Sequence, residues 1–274
     1  MKVYISVDME GVAGISDWEQ CLAGGDDYPL GRDLLLGEVN AAIDGAREAG
    51  ATEILVNDSH SAMRNLPPTE LRGHASYLSG RFKPFYMMEG LDASYDVALF
   101  LGYHAAMPTP GILSHTYNPR AIANVTLNSS VTGEAGINAL VALHHGVPVA
   151  VITGDQHVGP EAAPFCPGIE VVEVKRSVSR YAAEHLHPDV ARERIRDGVT
   201  RALAASRATP PGVQLPATLE VELMSPDMTE QATWLRGVER VTSTSVRFTD
   251  DDPLRLFRTF MTLVFLTRSL VETR

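Results

Sequence analysis

Runs of consecutive apolar residues recur along the first part of the chain and predict the strands of a sheet. Four of these runs are dense in Val, Ile, Leu and Ala: Val3–Val7, Glu53–Asn57, Val97–Leu101 and Val149–Thr153. Runs that are apolar on both faces are typical of parallel strands, because helices cover such a sheet on both sides. We therefore predict an α/β fold with a wound, mostly parallel sheet flanked by helices.

Two stretches between these strands have the pattern and the end signals of crossover helices. One extends from Leu30 to Ala49, with Pro29 at its start and Gly50 at its end. The other extends from Glu134 to His145 and is followed by Gly146. Proline is favoured in the first turn of a helix and glycine just past its last turn, so both stretches are predicted to be complete helices.

The pattern changes twice more along the chain. Between Gly111 and Thr132 it consists of short β-prone pieces, which predict an antiparallel excursion over the edge of the sheet. Beyond Ser177 we predict an alternation of helices and strands: a charged helix over Pro188–Arg207, a strand over Thr218–Leu223, a helix over Met228–Leu235, a strand over Arg240–Phe248 and a closing helix from Pro253. We therefore divide the chain into an α/β domain, residues 1–178, and a smaller C-terminal α+β domain, residues 179–274.

Composition and charge narrow the classes of partner. The chain has 274 residues, 45% of them hydrophobic, and can bury a large core. Its formal net charge of -11 would repel nucleic acid and anionic membrane surfaces. The most apolar tract, Phe257–Leu270, is too short to span a bilayer and contains Arg258 and Arg268. We therefore expect neither a nucleic-acid partner nor a membrane partner.

The two cysteines and the first residues indicate a cytoplasmic protein. Cys21 and Cys166 match no metal-binding or redox spacing, so we expect them to be reduced thiols. The chain starts with a strand pattern and lacks the basic and apolar regions of a signal peptide, so export by that route is not predicted.

Polar side chains follow three of the predicted strands. Asp8 and Glu10 follow the first strand, His60 the second and His104 the third, while Glu134 opens the second predicted helix. The carboxyl ends of strands in an open α/β sheet form its ligand crevice, so we expect these side chains to converge. Two carboxylates as close as Asp8 and Glu10 repel each other unless a cation or a shared proton lies between them.

Carboxylates mixed with imidazoles suit Zn²⁺, Mn²⁺ or Fe better than Ca²⁺ or Mg²⁺. Three acids and two histidines exceed the needs of one four-coordinate ion and could hold two ions, with Asp8 as the natural bridge. At any one position a structural role competes, because strand-end Asp residues often cap turns and a lone His is often only hydrogen-bonded. Recurrence at three successive strand ends favours the metal site.

His115 lies on the segment that is predicted to fold over the crevice. Its imidazole could be a sixth ligand, an acid or base, a group that stabilises an oxyanion, or merely a hydrogen-bonded histidine. The chain has no Gly-x-Ser-x-Gly motif, which argues against a serine hydrolase, and no glycine-rich nucleotide-binding motif.

Six ordered motifs carry a resemblance to a known family. They are Ser6-Val-Asp8-Met-Glu10-Gly11, Val56-Asn-Asp58-Ser-His60-Ser, Glu89-Gly90-Leu, Leu101-Gly-Tyr-His104-Ala, Ser114-His115 and Gly133-Glu134-x-Gly136-x-Asn138. This set resembles the M55 family of metallopeptidases, which is typified by a bacterial D-aminopeptidase. The resemblance extends from Lys2 to the final helix.

The resemblance implies a zinc-dependent aminopeptidase that hydrolyses the N-terminal residue of short peptides with a water activated by two metal ions. It implies that Asp8 bridges two Zn²⁺ ions, that Glu10 and His60 bind one of them, and that His104 and Glu134 bind the other. It further implies that His115 is catalytic, which we interpret as acid or base action or as oxyanion stabilisation.

The resemblance also implies a homo-oligomer, specifically a decamer that encloses a channel. Two alternatives stay open at this point: a dinuclear-metal amidase or other hydrolase, and a noncatalytic cytosolic protein that binds peptides. Preference for D- or L-residues is open as well, because the loops that would face a substrate, such as Gly24–Asp27 and Asn118–Ala121, need not follow a family pattern.

Overall fold

The computed structural model describes residues 1–205 and 207–271. The strands are β1 (Lys2–Val7), β2 (Glu53–Asp58), β3 (Ser76–Leu78), β4 (Val97–Leu101), β5 (Ile122–Leu127), β6 (Ser130–Val131), β7 (Val149–Gly154), β8 (Glu170–Glu173), β9 (Lys175–Ser179), β10 (Ala182–His185), β11 (Ala217–Leu223), β12 (Glu239–Arg240) and β13 (Ser245–Asp250). The α-helices are α1 (Tyr28–Glu48), α2 (Glu134–His145), α3 (Val158–Ala162), α4 (Pro188–Ala205), α5 (Pro226–Ala232) and α6 (Pro253–Thr267). Short 3₁₀ helices cover Trp18–Gln20, Tyr86–Met88 and Arg268–Leu270.

The first sheet contains six parallel strands in the order β3-β2-β1-β4-β7-β8. All four strands that the apolar runs predict are present in it, which confirms the α/β fold class. The chain builds outward from β1 to β2 and β3 and then returns to place β4 on the other side of β1. Such a reversal opens a crevice at the carboxyl ends of the two strands, here β1 and β4.

Alternate residues of the strands face two separate hydrophobic cores. Val3, Ile5 and Val7 of β1 pack with α1 and α4, whereas Tyr4 of the same strand packs with α2 and α6. Because successive side chains of a strand point to opposite faces, helices must cover both sides of the sheet. Both predicted crossover helices are confirmed, and Gly146 ends α2 with a left-handed φ of 69°.

The second sheet is antiparallel, with the order β12-β13-β11-β5-β6. The predicted excursion supplies β5 and β6, but β5 pairs with β11 and not with the edge of the first sheet. Residues 112–116 form no strand, and turn residues interrupt the strand that was predicted over 240–248. The second sheet thus draws strands from both sides of residue 178, and the division of the chain at that residue stays a prediction.

The predicted charged helix is present as α4, and the end of its predicted span includes residue 206, which lies outside the described residues. The apolar tract near the C-terminus forms most of α6, whose inner face is buried. Within the part of the chain that the structure describes, no helix combines the length and the apolar character needed to cross a membrane.

Candidate metal centre

The five predicted metal ligands meet at the crevice between β1 and β4. Asp8 follows β1, His60 follows β2, His104 follows β4 and Glu134 is the first residue of α2. Glu10 lies on the loop after β1. All five are between 1% and 5% exposed. Burial of three carboxylates at one place requires compensating positive charge or hydrogen bonds.

Two glycines allow the loops after β1 and β4 to approach each other here. Gly11 donates a backbone hydrogen bond of 2.7 Å to the carbonyl oxygen of Gly102. A Cβ atom on Gly11 would lie 2.0 Å from the carbonyl oxygen of Tyr103, and one on Gly102, whose φ is 68°, would lie 2.2 Å from that of Asp8. Larger residues would therefore separate Glu10 from His104.

The ligand atoms form two groups that share Asp8. In the first group, His60 Nδ1 lies 3.1 Å from Asp8 Oδ1 and 3.0 Å from Glu10 Oε2. In the second, His104 Nε2 lies 3.4 Å from Asp8 Oδ2 and 3.5 Å from Glu134 Oε1. One ligand atom from each member of a group lies within 4.8 Å of the others. Each group offers two carboxylates and one imidazole, a donor set that suits zinc.

Backbone carbonyls determine which nitrogen of each imidazole faces the carboxylates. His60 Nε2 lies 2.9 Å from the carbonyl oxygen of Cys21, and His104 Nδ1 lies 3.0 Å from that of Ala105. A carbonyl oxygen only accepts, so each of these two nitrogens carries an N–H. The opposite nitrogens, Nδ1 of His60 and Nε2 of His104, face the carboxylates and would present lone pairs to a bound metal ion, because hydrogen bonds of this kind orient the histidine ligands of metals.

Three buried polar atoms of the centre have no hydrogen-bond partner among the described residues: Asp8 Oδ2, Glu10 Oε2 and His104 Nε2. Glu10 Oε2 is close to His60 Nδ1, but the pair lacks hydrogen-bond geometry. Buried polar atoms without partners are rare in proteins and call for a specific explanation. Coordination of cations at this place would satisfy all three atoms, so the residues fit a metal site.

The pKa shifts show the same demand for positive charge. Burial alone would raise the pKa of Asp8, but the adjacent imidazoles of His104 and His60 outweigh it and hold that pKa well below its ordinary value. Burial alone would lower the pKa of His60 and of His104, but nearby carboxylates outweigh it and raise both well above the ordinary value. The carboxylates therefore attract protons to the histidines where no metal ion neutralises them.

His115 lies beside this centre, on the loop that leads to β5. Its ring stacks on that of His104, with centroids 4.2 Å apart, and packs edge-to-face with the ring of Trp18, with centroids 5.3 Å apart. Its Nδ1 donates to the carbonyl oxygen of Leu113 at 2.9 Å, which leaves Nε2 facing Glu134 Oε1 at 3.8 Å. Burial and the charge of His104 lower the pKa of His115. A neutral ring with an unprotonated Nε2 can accept a proton.

His115 also belongs to a third group of potential ligands, with Glu10 and His104. The distance from His115 Nε2 to Glu10 Oε1 is 4.0 Å, longer than the corresponding distances in the two groups that share Asp8. The geometry therefore leaves His115 at the periphery of the cluster.

Lys175 supports the site, although the sequence analysis did not identify it. The side chain is 3% exposed, and its Nζ donates to the carbonyl oxygens of Glu10, Val12 and Ile15 at 2.5, 2.9 and 2.8 Å. Burial lowers its pKa to about 8. One lysine thus holds the loop that carries Glu10. Lys175 lies on β9, 165 residues after Glu10 in the chain, and no local sequence pattern predicts a contact over such a separation.

Tyr117 is a second supporting residue. Its φ of 58° is left-handed, an uncommon conformation for a bulky side chain. Its N–H donates to Glu134 Oε1 at 2.8 Å, and its hydroxyl donates to Asn138 Oδ1 at 2.7 Å. Glu134 and Asn138 are four residues apart and share one face of α2. Their spacing in the sequence motif is therefore the one local feature that could have predicted that they act together.

A cavity of about 480 Å³ opens above the metal centre. Asp8, Glu10, His60, His115 and Glu134 contribute to its lining, together with the aromatic rings of Trp18, Tyr86 and Tyr117. Its volume is in the range of small-molecule sites. The buried acids and imidazoles are therefore accessible to a small ligand from one side.

Comparisons with known proteins agree with this site. The model of the M55 peptidase family, described as D-aminopeptidase, matches residues 1–262. The D-aminopeptidase of Bacillus subtilis (strain 168) is 36% identical over 271 residues, 97% of each chain. The structure of the Zn-dependent D-aminopeptidase DppA from Bacillus subtilis, described as a self-compartmentalizing protease, matches with a TM-score of 0.92 and 36% identity over 97% of both chains. The chain belongs to the M55 peptidase family.

Proposed function

We propose that this protein is a zinc-dependent D-aminopeptidase that releases the N-terminal residue of short peptides. The observation that carries the proposal is the convergence of three buried carboxylates and two oriented imidazoles at the floor of an accessible cavity. Family membership and the zinc dependence of the related DppA support the same activity. The proposal takes the D-configuration of the substrate from the same relatives.

The proposed site holds two zinc ions. Glu10 and His60 would bind one ion, His104 and Glu134 would bind the other, and Asp8 would bridge them. The presence of Asp8 in both geometric groups supports this assignment. Two divalent cations would offset the three carboxylates and occupy the directions of the unpartnered atoms. Bound zinc supplies Lewis acidity, which lowers the pKa of water towards neutrality and polarises a carbonyl group.

The chain's own contribution to proton transfer is His115. Hydrolysis of a peptide bond requires removal of a proton from the attacking water and delivery of a proton to the departing amine. Because Nδ1 of His115 donates to Leu113, Nε2 is the nitrogen that can take up and return that proton. An oxyanion stabiliser would need a proton on Nε2 from the start. The tautomer therefore favours acid–base action.

We extend the proposal to the assembly and its location. We propose a cytoplasmic homodecamer, in keeping with the self-compartmentalizing relative. Exposed apolar side chains support subunit contacts, among them Val178 at 78% and Trp234 at 70% exposure. The buried, unpaired thiols of Cys21 and Cys166 suit a reducing compartment. Light scattering on the purified protein should give ten times the mass of one chain, and a monomer would contradict the assembly.

The function is tested with paired substrates and one matched pair of variants. Zinc-restored protein should release D-alanine from D-alanylglycine faster than L-alanine from L-alanylglycine, and removal of zinc with a chelator should abolish the reaction. Asp8→Asn removes the proposed bridge and should lose bound zinc and activity together. Asp251→Asn makes the same chemical change at a side chain that is 84% exposed and should lose neither.

The outcomes separate the proposal from its alternatives. A fully active, metal-free Asp8→Asn variant would contradict the mechanism. Turnover of simple amides or phosphate esters without turnover of dipeptides would indicate another dinuclear hydrolase. Binding of peptides by the zinc-loaded protein without any turnover would indicate a noncatalytic binding protein.

A further inference from the structure

The cavity above the metal centre has two ends of opposite charge. Its acidic side chains are the site carboxylates, which are 1–4% exposed and therefore form its inner end. Its other charged lining residues, apart from the histidines, are Arg81, Arg120 and Arg268, which are all exposed and therefore form its outer end. Among the residues that the structure describes, no exposed carboxylate lines the cavity. A ligand that spans it meets acids inside and guanidinium groups outside.

These three arginines come from separate parts of the chain. Arg81 lies between β3 and the 3₁₀ helix Tyr86–Met88, Arg120 lies in the turn before β5, and Arg268 follows α6. Their convergence occurs in a protein with a net charge of -11. Within residues 1–205 and 207–271, none of the three forms an ion pair with an acid. Their positive charge is therefore available to a ligand.

Local contacts position the guanidinium group of Arg268 and the backbone of Arg120. Arg268 donates to the hydroxyl of Tyr86 at 3.3 Å, and its guanidinium carbon lies 5.0 Å from the centroid of the Phe265 ring. The backbone N–H of Arg120 donates to Asn118 Oδ1 at 3.1 Å, which closes the turn that presents Arg120. A guanidinium held as that of Arg268 is binds a carboxylate at a smaller entropic cost than a freely rotating side chain does.

We propose that Arg81, Arg120 and Arg268 form a subsite for the C-terminal carboxylate of the peptide substrate. The inference rests on the proposed function, because an aminopeptidase places the substrate's amino end at the metal centre and directs the rest of the peptide outward. Guanidinium groups bind carboxylates through paired, charge-assisted hydrogen bonds. The free terminal acid is then part of what the enzyme recognises.

The same geometry limits the length of the substrate. An extended peptide advances about 3.3–3.6 Å per residue, so each added residue moves the terminal carboxylate further from the inner end. A cavity of about 480 Å³ accommodates only a short peptide between its acidic and basic ends. The arginines thereby select di- and tripeptides with a free acid over longer or capped peptides.

The test compares D-alanylglycine with its C-terminal amide, D-alanylglycinamide, which lacks only the terminal charge. The wild-type enzyme should release D-alanine from the acid with a kcat/KM roughly tenfold higher or more, chiefly through KM, as expected for charge-assisted hydrogen bonds in a partly open site. The triple variant Arg81→Gln/Arg120→Gln/Arg268→Gln should bring this ratio close to one. Arg236→Gln removes an exposed arginine outside the cavity and should leave the ratio unchanged.

A binding measurement distinguishes failure of the subsite from failure of the proposed function. Calorimetry on the His115→Ala protein as purified should show tighter binding of the acid than of the amide, and the three arginine changes should remove this difference. Absence of turnover for both peptides with this binding difference intact would overturn only the proposed function. Equal binding and equal turnover of the acid and the amide by proteins that keep the three arginines would overturn the subsite. Absence of binding of both peptides would also overturn it.

Discussion

At the scale of single residues, the centre depends on which nitrogen each histidine presents. The far nitrogens of His60, His104 and His115 all face backbone carbonyls, at 2.9 to 3.0 Å. The chain therefore orients three imidazole nitrogens towards the centre before any ligand binds. Two of them point at carboxylates of the proposed zinc groups, whereas that of His115 lies at their periphery.

This difference gives His115 a testable role. His115→Ala should lower kcat by about 10²–10⁴-fold, the usual contribution of a general acid–base, because no other imidazole among the described residues faces the centre from that side. Zinc content should stay at the wild-type value. Kinetics and elemental analysis on the same preparation check both expectations, and loss of zinc in proportion to activity would instead identify His115 as a ligand.

At the scale of elements, the loop after β1 is held from two sides. Lys175 of β9 donates to three of its carbonyl oxygens, and Glu38 of α1 accepts from the backbone N–H of Ala13 at 2.8 Å. This loop carries Glu10, so the packing of distant elements determines where a proposed ligand lies. Substitution of Lys175 or Glu38 should therefore shift the backbone of this loop and with it the position of Glu10.

Lys175→Met should therefore weaken both the fold and zinc binding. It removes three hydrogen bonds and leaves buried carbonyl oxygens without a donor, which we expect to lower the free energy of unfolding by about 3 kcal/mol. Arg176→Met changes the next, exposed residue of the same strand and serves as the control. Denaturant unfolding and zinc titration measure the two effects, and a Lys175→Met protein with wild-type zinc affinity would contradict the positioning role.

The second support predicts a dependence of stability on pH. Burial raises the pKa of Glu38 from 4.5 to about 7, so the unfolded chain loses this proton at lower pH than the folded protein does. Ionisation therefore destabilises the folded state progressively between about pH 4.5 and pH 7 and adds no further cost above that range. A shift of about 2.5 pKa units at about 1.4 kcal/mol each corresponds to about 3 kcal/mol.

Glu38→Gln removes this ionisation but keeps an oxygen that can accept from Ala13. The variant's free energy of unfolding, relative to that of the wild type, should rise across this pH range by about 3 kcal/mol. Denaturant unfolding of both proteins at several pH values measures the difference. Parallel curves for the two proteins would show that Glu38 does not titrate as its burial predicts.

At the scale of the whole molecule, the most buried elements were the most predictable. The strands β1, β4 and β7 are apolar on both faces, and their carboxyl ends meet, so the positions of Asp8 and His104 follow from the pattern. The strands β3 and β8 escaped prediction because they are short, partly exposed edge strands without an apolar run.

The supports of the site were beyond prediction for a different reason. Lys175 reaches Glu10 across 165 residues, and the pairing of β5 with β11 joins residues that are 92 to 101 positions apart in the chain. Such contacts depend on how finished elements pack, and neither periodicity nor local residue preference encodes them. Among these supports, only the pair on α2 had a local sequence signal: Asn138 follows Glu134 by one helical turn, and both residues accept hydrogen bonds from Tyr117.

The central claim is that Asp8 bridges two zinc ions, and anomalous scattering at the zinc absorption edge tests it most directly. Crystals of the zinc-loaded protein should show two anomalous peaks per chain, one among Asp8, Glu10 and His60 and the other among Asp8, His104 and Glu134. A single peak, or a pair of peaks of which either lies beyond bonding distance of Asp8, would contradict the account.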